Sequence, residues 1–380
     1  MTPIPAPATI GMLGGGQLGR MFTIAAKKMG YKVIVLDPDK ESPACQVADG
    51  CIEAELDDSQ KAVELAQKCD VITYEFENVS IEVIGEIRRH NKKIFPAANL
   101  LEISQHRIKE KDFVKSLGIA VTPYLKIKTA GDFIKLVNQI SYPSIIKTAR
   151  GGYDGKGQWV VKKYEDAKFA FAQASGKTLI YEKMVDFEKE ISAICARNAK
   201  GDVAIYPICE NSHENGILHM TVVPARISTK VEKKARQIIK KIAVALDVVG
   251  LFCVEMFVLK NGAILVNEIA PRPHNSGHYS IDACECSQFE QQARAVCNLE
   301  LGSTKMVVDA AVMVNILGVG LGDNLVGTQE ILKNKNVRLH MYGKKQAREG
   351  RKMGHFTILS DNLTNAIVLA QKIEKKLKWE

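Results

Sequence analysis

Short apolar runs alternate with amphipathic stretches through the first hundred residues of the chain. The apolar runs predict three buried strands, at residues 9–13, 32–36 and 71–74. The amphipathic stretches predict helices that begin near Gln17, Ser59 and Ser80. Because strands that alternate with helices form parallel sheets with helices on both faces, residues 1–105 are predicted to form a Rossmann-like domain.

A different pattern follows Pro96. Amphipathic spacing predicts helices at residues 106–117, 130–139, 231–245 and 362–377. Apolar runs predict strands at residues 124–127, 144–147, 159–162, 179–182, 190–196 and 309–316, and a hairpin over 251–268. We therefore predict an α/β protein with three domains, at residues 1–105, 106–304 and 305–380.

The composition is that of an ordinary globular protein. The chain has 380 residues, 46% hydrophobic and 25% charged, enough for two or three full-sized cores. The net charge of +9 suits phosphate-bearing ligands, and a solvated basic surface is the alternative. Aromatic residues make up only 6% and no basic stretch is interleaved with them, so no nucleic-acid partner is expected. No run of about 18 apolar residues occurs, so no membrane span is expected.

Nine cysteines are scattered through the chain without a metal-binding spacing. No Cys-x-x-Cys pair occurs, and Cys284-x-Cys286 has no second pair. We therefore expect buried, reduced thiols in a cytoplasmic protein. The nine positions are Cys45, Cys51, Cys69, Cys195, Cys209, Cys253, Cys284, Cys286 and Cys297.

The first predicted strand leads into a glycine-rich turn. Residues 14–19, GGGQLG, fit the G-x-G-x-x-G spacing, and Asp37 ends the next strand where a dinucleotide-binding acid would hold a ribose. This motif favours an NAD-dependent dehydrogenase. The alternative is that the glycines allow a tight turn and close helix packing, which leaves the amides at the helix terminus for another anion.

A second glycine-rich loop lies in the central region. Lys147 ends a predicted strand, and residues 148–158, TARGGYDGKGQ, lead into the next one. Four glycines within seven residues let backbone amides approach phosphate oxygens, while Lys147, Arg150 and Lys156 add positive charge. The loop is not of the Walker A type, because no GK[ST] opens a helix. We interpret it as a nucleotide phosphate site, with a hairpin tip as the alternative.

Two acids further along the chain could serve the same nucleotide. Glu182 closes the strand at 179–182, and Glu190 begins the next strand. A strand end can present backbone groups to a purine while a carboxylate accepts hydrogen bonds from ribose hydroxyls. Taken alone, both residues are better explained as ordinary surface acids.

Two carboxylates are predicted to face each other in the following hairpin. Asn261-Gly262 is typical of two-residue turns, and such a turn places Glu255 opposite Glu268. Opposed like charges repel, and burial among apolar neighbours strengthens the repulsion. A divalent cation would relieve it, and oxygen ligands beside a nucleotide loop indicate magnesium, with Asn267 as a further oxygen. A bulge that shifts the register, or neutralisation by a nearby basic side chain, is the alternative.

The segment after this pair combines a cation and a histidine with two prolines. Arg272 and His274 could hold an oxyanion beside the carboxylates, and the prolines stiffen the turn that carries them. Alternatively, Arg272 forms a structural salt bridge, and His274 is a turn histidine whose hydrogen bonds are satisfied.

The C-terminal region carries a basic segment. Lys344, Arg351 and Lys352 lie within nine positions, and Gly343, Gly350 and Gly354 lie among or beside them. The glycines argue against a regular helix and favour a loop that bends around a ligand. A solvated run of charge is the alternative.

Taken together, these features resemble the ATP-grasp fold, with a lysine before a glycine-rich hairpin loop, an E-K-x-V strand end and a glutamate pair that ends in Asn267-Glu268. More narrowly, several segments are similar to the N5-carboxyaminoimidazole ribonucleotide synthetase family of purine biosynthesis. These segments are GGGQLGRM at 14–21, YEFENV at 74–79, GGYDGKGQ at 151–158, NEIAPRPHNSGH at 267–278, and HMYGK with GRKMGH at 340–355.

The resemblance implies an ATP-dependent ligase that carboxylates 5-aminoimidazole ribonucleotide with bicarbonate through carboxyphosphate, with ATP and Mg²⁺ as cofactors. Magnesium is implied at Glu255 and Glu268. The implied ATP contacts are Arg107, Lys147, Gly152, Tyr153, Asp154, Gly155, Lys156, Gly157, Gln158, Glu182, Lys183, Met184, Val185, Glu190, His213, Asn267 and Glu268. The implied substrate contacts are Gln17, Leu18, Glu75, Arg272, His274, Asn275, Lys344, Arg351 and Lys352. The implied catalytic residues are Tyr153, Asp154, Arg272, His274 and Glu75.

Some details stay open at this point. Either Asp154 or Glu75 could orient or deprotonate the substrate amine. Ala149 departs from the family pattern, in which an arginine is common, and we expect the neighbouring Arg150 to compensate. The family also implies a homodimer, and it implies that the 14–19 turn lies at the substrate cleft and binds no NAD. The remaining alternatives are the dehydrogenase, another ATP-grasp ligase that uses formate or carboxylates biotin, and a non-catalytic nucleotide-binding scaffold.

Overall fold

The computed structural model describes residues 2–137, 139–151 and 157–380. The N-terminal region is a four-stranded parallel sheet in the order β3-β2-β1-β4, with hydrophobic cores on both of its faces. Its elements are β1 (Thr9–Leu13), α1 (Gln17–Lys28), β2 (Lys32–Asp37), β3 (Gly50–Glu53), α2 (Ser59–Gln67), β4 (Val71–Tyr74), α3 (Ile81–Arg89) and α4 (Ala98–Ser104). The predicted Rossmann-like sheet is confirmed.

Local sequence explains where these helices begin. Gly14 has φ = +98°, a conformation that glycine tolerates, and it turns the chain from β1 towards α1. Asp58 caps α2 by accepting a hydrogen bond from Lys61 N at 3.0 Å. Ser80 caps α3 by accepting one from Glu82 N at 3.1 Å. The three predicted helix starts are confirmed, whereas β3 and α4 were not predicted because their apolar patterns are short.

The central region begins with a four-stranded antiparallel sheet in the order β5-β8-β6-β7. Its elements are α5 (Arg107–Ser116), β5 (Tyr124–Ile127), α6 (Ala130–Val137), β6 (Ser144–Thr148), β7 (Gln158–Val161), α7 (Tyr164–Gln173) and β8 (Leu179–Lys183). One face of this small sheet packs against α6 and α7 through Ile146, Phe133 and Ala170. The glycine-rich loop joins β6 to β7.

The remaining long strands form one nine-stranded antiparallel sheet. Its order is β14-β13-β9-β11-β12-β15-β18-β17, and β10 pairs with β9. The elements of this large sheet and the helices on it are β9 (Phe187–Arg197), β10 (Val203–Ile205), β11 (Cys209–Glu214), β12 (Ile217–Val223), α8 (Thr229–Ala245), β13 (Gly250–Leu259), β14 (Ile264–Ala270), α9 (Ser280–Ala283) and α10 (Gln288–Val296).

The C-terminal strands continue this large sheet, because β15 pairs with β12. The C-terminal elements are β15 (Ala310–Leu317), β16 (Leu325–Val326), α11 (Thr328–Leu332), β17 (Val337–Met341), β18 (Lys352–Ser360), α12 (Leu363–Glu374) and β19 (Lys378–Trp379). Helix α12 packs on the sheet through Ala366 and Ala370, next to Val312 of β15. The sequence predicted β15 and α12, but it gave no sign that β15 extends a sheet of the central region.

Helix α10 joins the N-terminal sheet to the large sheet. Gln292 Nε2 donates to Thr73 Oγ1 of β4 at 2.8 Å, and Gln292 Oε1 accepts from Leu251 N of β13 at 2.5 Å. Phe289 of the same helix packs in the core that contains Phe22 of α1. The sequence pattern did not predict α10, because buried glutamines interrupt its apolar spacing.

The structure bears on two expectations from the composition, the state of the cysteines and the membrane span. Cys45 and Cys51 form a disulfide with Cα atoms 5.5 Å apart, so the prediction that all nine cysteines are reduced thiols is wrong. The connection from β2 to β3 folds back on itself and brings the two together, which their spacing in the sequence does not reveal. The other seven cysteines are buried free thiols. Among the described residues, no helix combines the length and the apolar character needed to cross a membrane.

Candidate active site

The glycine turn after β1 is occupied by carboxylates of the protein itself. Gly15 N donates to Asp37 Oδ2 at 2.6 Å. Gly16 N and Gly19 N both donate to the Glu75 carboxylate, the second of them at 2.6 Å. Asp37 is therefore engaged with the turn instead of facing a ribose, and three amides that a pyrophosphate would use are taken. This arrangement argues against the dehydrogenase alternative.

Glu255 of β13 lies opposite Glu268 of β14, as the sequence predicts, but the register arises differently. The loop contains three residues, 260–262, and Gly262 ends it with φ = +76°. This longer loop shifts the strand pairing by one residue. A bulge at Asn267 shifts it back, so that Glu255 lies opposite Glu268. The prediction of a two-residue turn is wrong, although the two carboxylates do face each other.

The two carboxylates lie in different surroundings. The Glu255 side chain is 20% exposed and that of Glu268 is 43% exposed. Burial raises the pKa of Glu255, and the nearby charge of Glu268 raises it further. Glu268 Oε2 accepts from Arg107 Nη1 at 3.2 Å, whereas Glu255 Oε1 lies 3.4 Å from His274 Nε2. Each acid thus has a basic neighbour from a different segment of the chain.

The chemistry of this donor set fits a magnesium ion. Mg²⁺ prefers oxygen ligands and is commonly held by one or two carboxylates together with phosphate oxygens of a substrate. Glu255 and Glu268 supply such a pair, and Asn267 in the bulge offers an amide oxygen next to it. Within residues 2–137, 139–151 and 157–380, no group of three or more His, Cys, Asp and Glu side chains could hold a metal ion. Phosphate oxygens or water would therefore have to complete the coordination.

A buried charge cluster lies at the end of β8, beside β6. Glu182 Oε2 accepts from Lys147 Nζ at 2.8 Å, and Glu182 Oε1 lies 3.2 Å from Lys111 Nζ. Burial raises the pKa of Glu182, but the charges of Lys147 and Lys111 outweigh burial and lower that pKa to about 2. Glu182 is only 4% exposed, so the interpretation of this residue as an ordinary surface acid is wrong.

Glu190 of β9 and His213 of β11 form a second pair. Their side chains are 21% and 25% exposed, and His213 Nδ1 lies 2.5 Å from Glu190 Oε2. Burial lowers the pKa of His213, but the hydrogen bond and charge of Glu190 outweigh burial, so the pKa is raised overall. Two predicted ATP contacts therefore come together, although neither β11 nor β12 was predicted as a strand.

The other predicted ATP contacts lie around the glycine-rich loop and past β8. Thr148 N donates to Gly157 O at 2.9 Å, which holds the two ends of the loop together. Gln158 begins β7, and the segment that ends and follows β8 carries Lys183, Met184 and Val185. The candidates that fall outside the described residues are Gly152, Tyr153, Asp154, Gly155 and Lys156.

The departure from the family pattern at Ala149 has a structural basis. Ala149 is 1% exposed and packs against Ile108 of α5 and Ile180 of β8. An arginine side chain cannot replace it without displacing this contact. Arg150 is exposed and lines a cavity of about 270 Å³ beside the start of α3. Compensation by Arg150 stays a prediction.

The turn after β14 is held by polar contacts. Arg272 donates to the Glu77 carboxylate, which ties the turn to the N-terminal region. Buried Gln288 accepts from His274 N at 2.9 Å and donates to His274 O at 2.8 Å, while His274 Nδ1 lies 2.7 Å from Ser276 Oγ. Both Arg272 and His274 therefore make the structural contacts that the alternative interpretation describes. Their roles towards an oxyanion stay predictions.

The two substrate candidates at the start of α1, Gln17 and Leu18, differ in how far their side chains are exposed. Gln17 begins α1 and is half-buried, whereas Leu18 is 8% exposed and packs in the N-terminal core. A contact between the Leu18 side chain and a substrate is at odds with this burial.

Asn275 and Asn315 of β15 exchange two amide hydrogen bonds, at 3.0 and 2.7 Å, so Asn275 fixes the turn to the C-terminal region.

The basic segment lies largely in the loop between β17 and β18, residues 342–351. Lys344 Nζ donates to Lys352 O at 2.8 Å, and Arg351 Nη1 donates to a backbone carbonyl of the same loop at 3.1 Å. Burial raises the pKa of Glu255, and the charge of Lys352 acts against it. Lys352, the first residue of β18, therefore lies near enough to the carboxylate pair for its charge to act on Glu255.

Sequence reasoning missed three polar residues that support the site. Glu77 lies in the YEFENV segment, two residues after Glu75, and that spacing was the available signal. Lys111 shares a helix face with Arg107, four residues earlier. Gln288 gave no signal, since its partner is the backbone of a turn rather than a side chain with a recognisable spacing.

Three family models match the chain in the order of its structural regions. A ribonucleotide synthetase preATP-grasp domain matches residues 7–105, and an ATP-grasp domain matches residues 112–289. A phosphoribosylaminoimidazole carboxylase C-terminal domain matches residues 311–368. The fold, the charge clusters and these matches define an ATP-grasp ligase.

Relatives narrow this class to one family. The N5-carboxyaminoimidazole ribonucleotide synthase of Bacillus subtilis (strain 168) is 44% identical over 353 residues, which cover 93% of this chain and 91% of the relative. A solved ADP complex of an N5-carboxyaminoimidazole ribonucleotide synthetase gives a TM-score of 0.92 at 44% identity, over 98% of both chains. The Aspergillus clavatus synthase, solved with ADP and 5-aminoimidazole ribonucleotide, gives 0.89 at 31% identity, over 97% of this chain and 98% of that one. The chain belongs to the N5-carboxyaminoimidazole ribonucleotide synthase family.

Proposed function

We propose that the chain carboxylates 5-aminoimidazole ribonucleotide with bicarbonate at the expense of ATP, as a step of de novo purine biosynthesis. The products are N5-carboxyaminoimidazole ribonucleotide, ADP and phosphate. Membership of the family supports this reaction over other ATP-grasp ligations. The observation that carries the proposal is the opposed pair Glu255 and Glu268, flanked by Arg107 on one side and by the Arg272–His274 turn on the other.

In the first step, a bicarbonate oxygen attacks the γ-phosphorus of ATP and ADP leaves, which forms the mixed anhydride carboxyphosphate. Such a transfer requires no protein nucleophile, because the protein contributes position and positive charge. Lys147 and Arg107 are the cations that we assign to the nucleotide side. Arg272 is assigned to bicarbonate, and its ion pair with Glu77 supports the assignment by fixing the guanidinium in place.

We assign magnesium to Glu255 and Glu268. Their like charges repel across the strand pair, and a divalent cation would relieve that repulsion. When it is bound there, magnesium supplies charge neutralisation to the transferred phosphoryl group. Arg107 Nη1 donates to Glu268 Oε2 at 3.2 Å, which supports a fixed orientation of that carboxylate.

In the second step, the exocyclic amine of the ribonucleotide attacks the carboxyl carbon of carboxyphosphate, or carbon dioxide released from it, and phosphate leaves. The amine must also lose a proton, and we assign its orientation or deprotonation to Asp154 or Glu75. Burial raises the pKa of Glu75 above its usual value, which suits a proton acceptor. Its two hydrogen bonds from backbone amides support a fixed position.

The basic loop between β17 and β18 is assigned to the phosphate of the ribonucleotide. Lys344, Arg351 and Lys352 provide positive charge on a loop shaped by glycines, and Gln17 at the start of α1 is the proposed contact from the N-terminal region. A phosphate held there would leave the amino group free to face the carboxylate pair. The family motifs HMYGK and GRKMGH support this assignment, and the charge of Lys352 acts on Glu255 and Glu77 of the cleft.

Phosphate release from ATP tests the proposed function. With purified protein, magnesium and ATP, we expect rapid phosphate release only when both bicarbonate and 5-aminoimidazole ribonucleotide are present. The carboxylated product should form in equal amount to phosphate. Rapid release without the ribonucleotide, or an equal rate with formate in place of bicarbonate, would assign the chain to another ATP-grasp reaction.

We further propose three functional regions with boundaries near residues 105 and 304, a homodimeric assembly and a cytoplasmic location. The limits of the three family matches support the boundaries. The resemblance to the family motivates the dimer, and sedimentation equilibrium tests it. Seven of the nine cysteines are buried free thiols, which supports a reducing compartment, whereas the Cys45–Cys51 disulfide does not.

A further inference from the structure

The segment from α5 to β5 covers the outer edge of β14, the edge strand of the large sheet. Ile269 N donates to Glu110 Oε1 at 2.6 Å, and Val266 N donates to Ala120 O at 2.9 Å. Glu110 is 2% exposed, so this contact is sealed from water. The segment therefore satisfies the edge of the strand that carries Asn267 and Glu268 and then continues into the small sheet.

Lys111 lies inside this covering segment and is 2% exposed. Its Nζ atom lies 3.2 Å from Glu182 Oε1, 3.4 Å from Thr122 Oγ1 and 3.4 Å from Asn267 O. A lysine ammonium has three N–H donors, and three acceptors surround this one. Lys111 therefore has no donor left for a nucleotide and is not expected to contact one.

The acceptors of Lys111 belong to different sheets. Glu182 lies on β8 of the small sheet, where it also binds Lys147 at 2.8 Å. Asn267 lies on β14 of the large sheet, next to Glu268. Under the proposed function, Lys147 of the small sheet is assigned to the nucleotide and Glu268 of the large sheet to magnesium, so one buried ammonium links the two sides of that site.

We propose that Lys111 is a positioning residue for ATP, because it fixes Glu182 and Lys147 of the small sheet relative to Asn267 and Glu268 of the large sheet. The inference rests on the proposed function, since the nucleotide must lie between these sheets. Lys111 acts through its neighbours and takes no part in the phosphoryl transfer itself.

The physical consequence of losing Lys111 follows from its burial. In a Lys111→Met variant the apolar stem is retained, but Glu182 keeps only Lys147 as a partner and Asn267 O loses its donor. A buried charge that loses a partner is costly, and the protein can lower that cost by moving Glu182 and β8 towards water. Such a movement would separate the small sheet from β14 and weaken nucleotide binding.

Titration calorimetry with ADP and magnesium tests this inference. We expect Lys111→Met to raise the Kd for ADP about tenfold. The KM for 5-aminoimidazole ribonucleotide, measured at saturating ATP, should stay within about twofold of the native value. Lys115→Met is the matched control, because Lys115 is an exposed lysine on the same helix and should leave the Kd for ADP unchanged.

A double-mutant cycle shows whether Lys111 acts through Glu182. In a Glu182→Gln background there is no carboxylate for Lys111 to hold, so Lys111→Met should raise the Kd for ADP much less than in the native background. Lys111→Met keeps the Glu182–Lys147 ion pair, so the variant should fold, and a Kd cannot be measured if it does not. In that case the cycle is run with Thr122→Val, which removes one acceptor and should raise the Kd about twofold to threefold.

The outcomes separate the inference from the proposed function. If the native protein does not bind ADP, the proposed function fails and the inference fails with it. If the native protein binds ADP and a folded Lys111→Met variant binds it equally well, the inference alone fails. It also fails if both KM values and kcat change together and the effects of Lys111→Met and Glu182→Gln are additive, because that pattern describes a merely structural lysine. If Thr122→Val replaces Lys111→Met in these experiments, the inference fails when the Kd for ADP is unchanged. It also fails when the effects of Thr122→Val and Glu182→Gln are strictly additive.

Discussion

Glu255 and Glu268 face each other across β13 and β14 even though the loop that joins the strands is one residue longer than a tight turn. The bulge at Asn267 compensates for the additional loop residue. The bulge lies between the carboxylate pair and the turn, so it also determines where the Asn267 side chain points relative to the two acids. The geometry of the carboxylate pair therefore depends on a local irregularity of the strand.

The first prediction concerns the charge of this pair. Glu268→Gln keeps the shape of the side chain but removes one negative charge, so it should relieve repulsion in the metal-free protein. We expect its melting temperature without magnesium to equal or slightly exceed that of the native protein. Turnover should fall by about two orders of magnitude or more, because the ion that neutralises the phosphoryl group loses a ligand. Calorimetric melting and the phosphate-release assay measure the two effects.

The Glu255→Gln variant should behave similarly, and the double variant should lose much less activity than the two single losses predict, since both acids act through one ion. Glu300→Gln is the control, because that carboxylate is 74% exposed on the surface. Near-normal turnover of Glu268→Gln with an unchanged magnesium dependence would contradict the paired site.

The second prediction concerns the basic loop. If Arg351 holds the ribonucleotide phosphate, Arg351→Ala should raise the KM for that substrate by about tenfold or more and change the KM for ATP much less. Arg348→Ala is a matched control, because Arg348 lies in the same loop and bonds the Gln346 side chain. Steady-state kinetics, with each substrate varied in turn, measures both KM values. Equal changes in both KM values would remove the assignment.

The third prediction concerns the glycine turn. Since Asp37 and Glu75 occupy its amides, neither NADH nor NADPH should bind at micromolar concentrations in a fluorescence titration. Asp37→Ala should instead destabilise the protein by about 1 kcal/mol, because Gly15 N loses its partly buried acceptor. Urea unfolding measures that loss. Saturable NADH binding that disappears in Asp37→Ala would restore the dehydrogenase hypothesis.

The fourth prediction uses the pH dependence of the His213–Glu190 pair. The pKa of His213 is raised from its ordinary value of 6.5. A histidine whose pKa is raised by folding contributes stability that is complete below the unfolded pKa and is lost as pH rises through the folded pKa. His213→Gln should therefore lower the free energy of unfolding by roughly 1 kcal/mol at pH 6 and by less at pH 9.

Urea unfolding at both pH values tests the fourth prediction. The groups that act on His213, besides Glu190, are Glu255, which raises its pKa, and Lys352, which lowers it. Glu190→Gln is the matched variant, and it should show the same decrease of its effect with rising pH. A deficit of His213→Gln that grows between pH 6 and pH 9 would show that the histidine is neutral in the folded protein.

Local patterns sufficed for much of the architecture. β1 and β4 begin and end where the apolar runs predict, because a buried strand needs consecutive apolar residues whatever it pairs with. The starts of α1 to α3 were readable for a similar reason, since turns and caps depend on a few neighbouring residues. Helix α10 was not readable, because its glutamines are buried by partners that are distant in the sequence.

The candidate site likewise contains residues that local patterns predicted and residues that they did not. The glycine loops were recognised from short spacings, and the family motifs identified most other candidates. The Glu255–Glu268 pairing was predicted from a two-residue turn, but the bulge at Asn267 is what establishes it. The Lys111–Glu182–Lys147 cluster did not follow, because each member comes from a different element and only burial makes their charges interact strongly. The burial of Leu18 and the Cys45–Cys51 disulfide were likewise beyond local reasoning.

The sequence by itself determined the class of fold and the family, because these depend on residue types at short, fixed spacings. Only the tertiary structure decided which polar groups are already satisfied within the protein. Asp37 and Glu75 fill the glycine turn, Arg272 is held by Glu77, and Lys111 spans two sheets. The physical reason is that hydrogen bonds and ion pairs depend on distances of a few ångströms between residues far apart in the chain, and the folded backbone alone sets those distances.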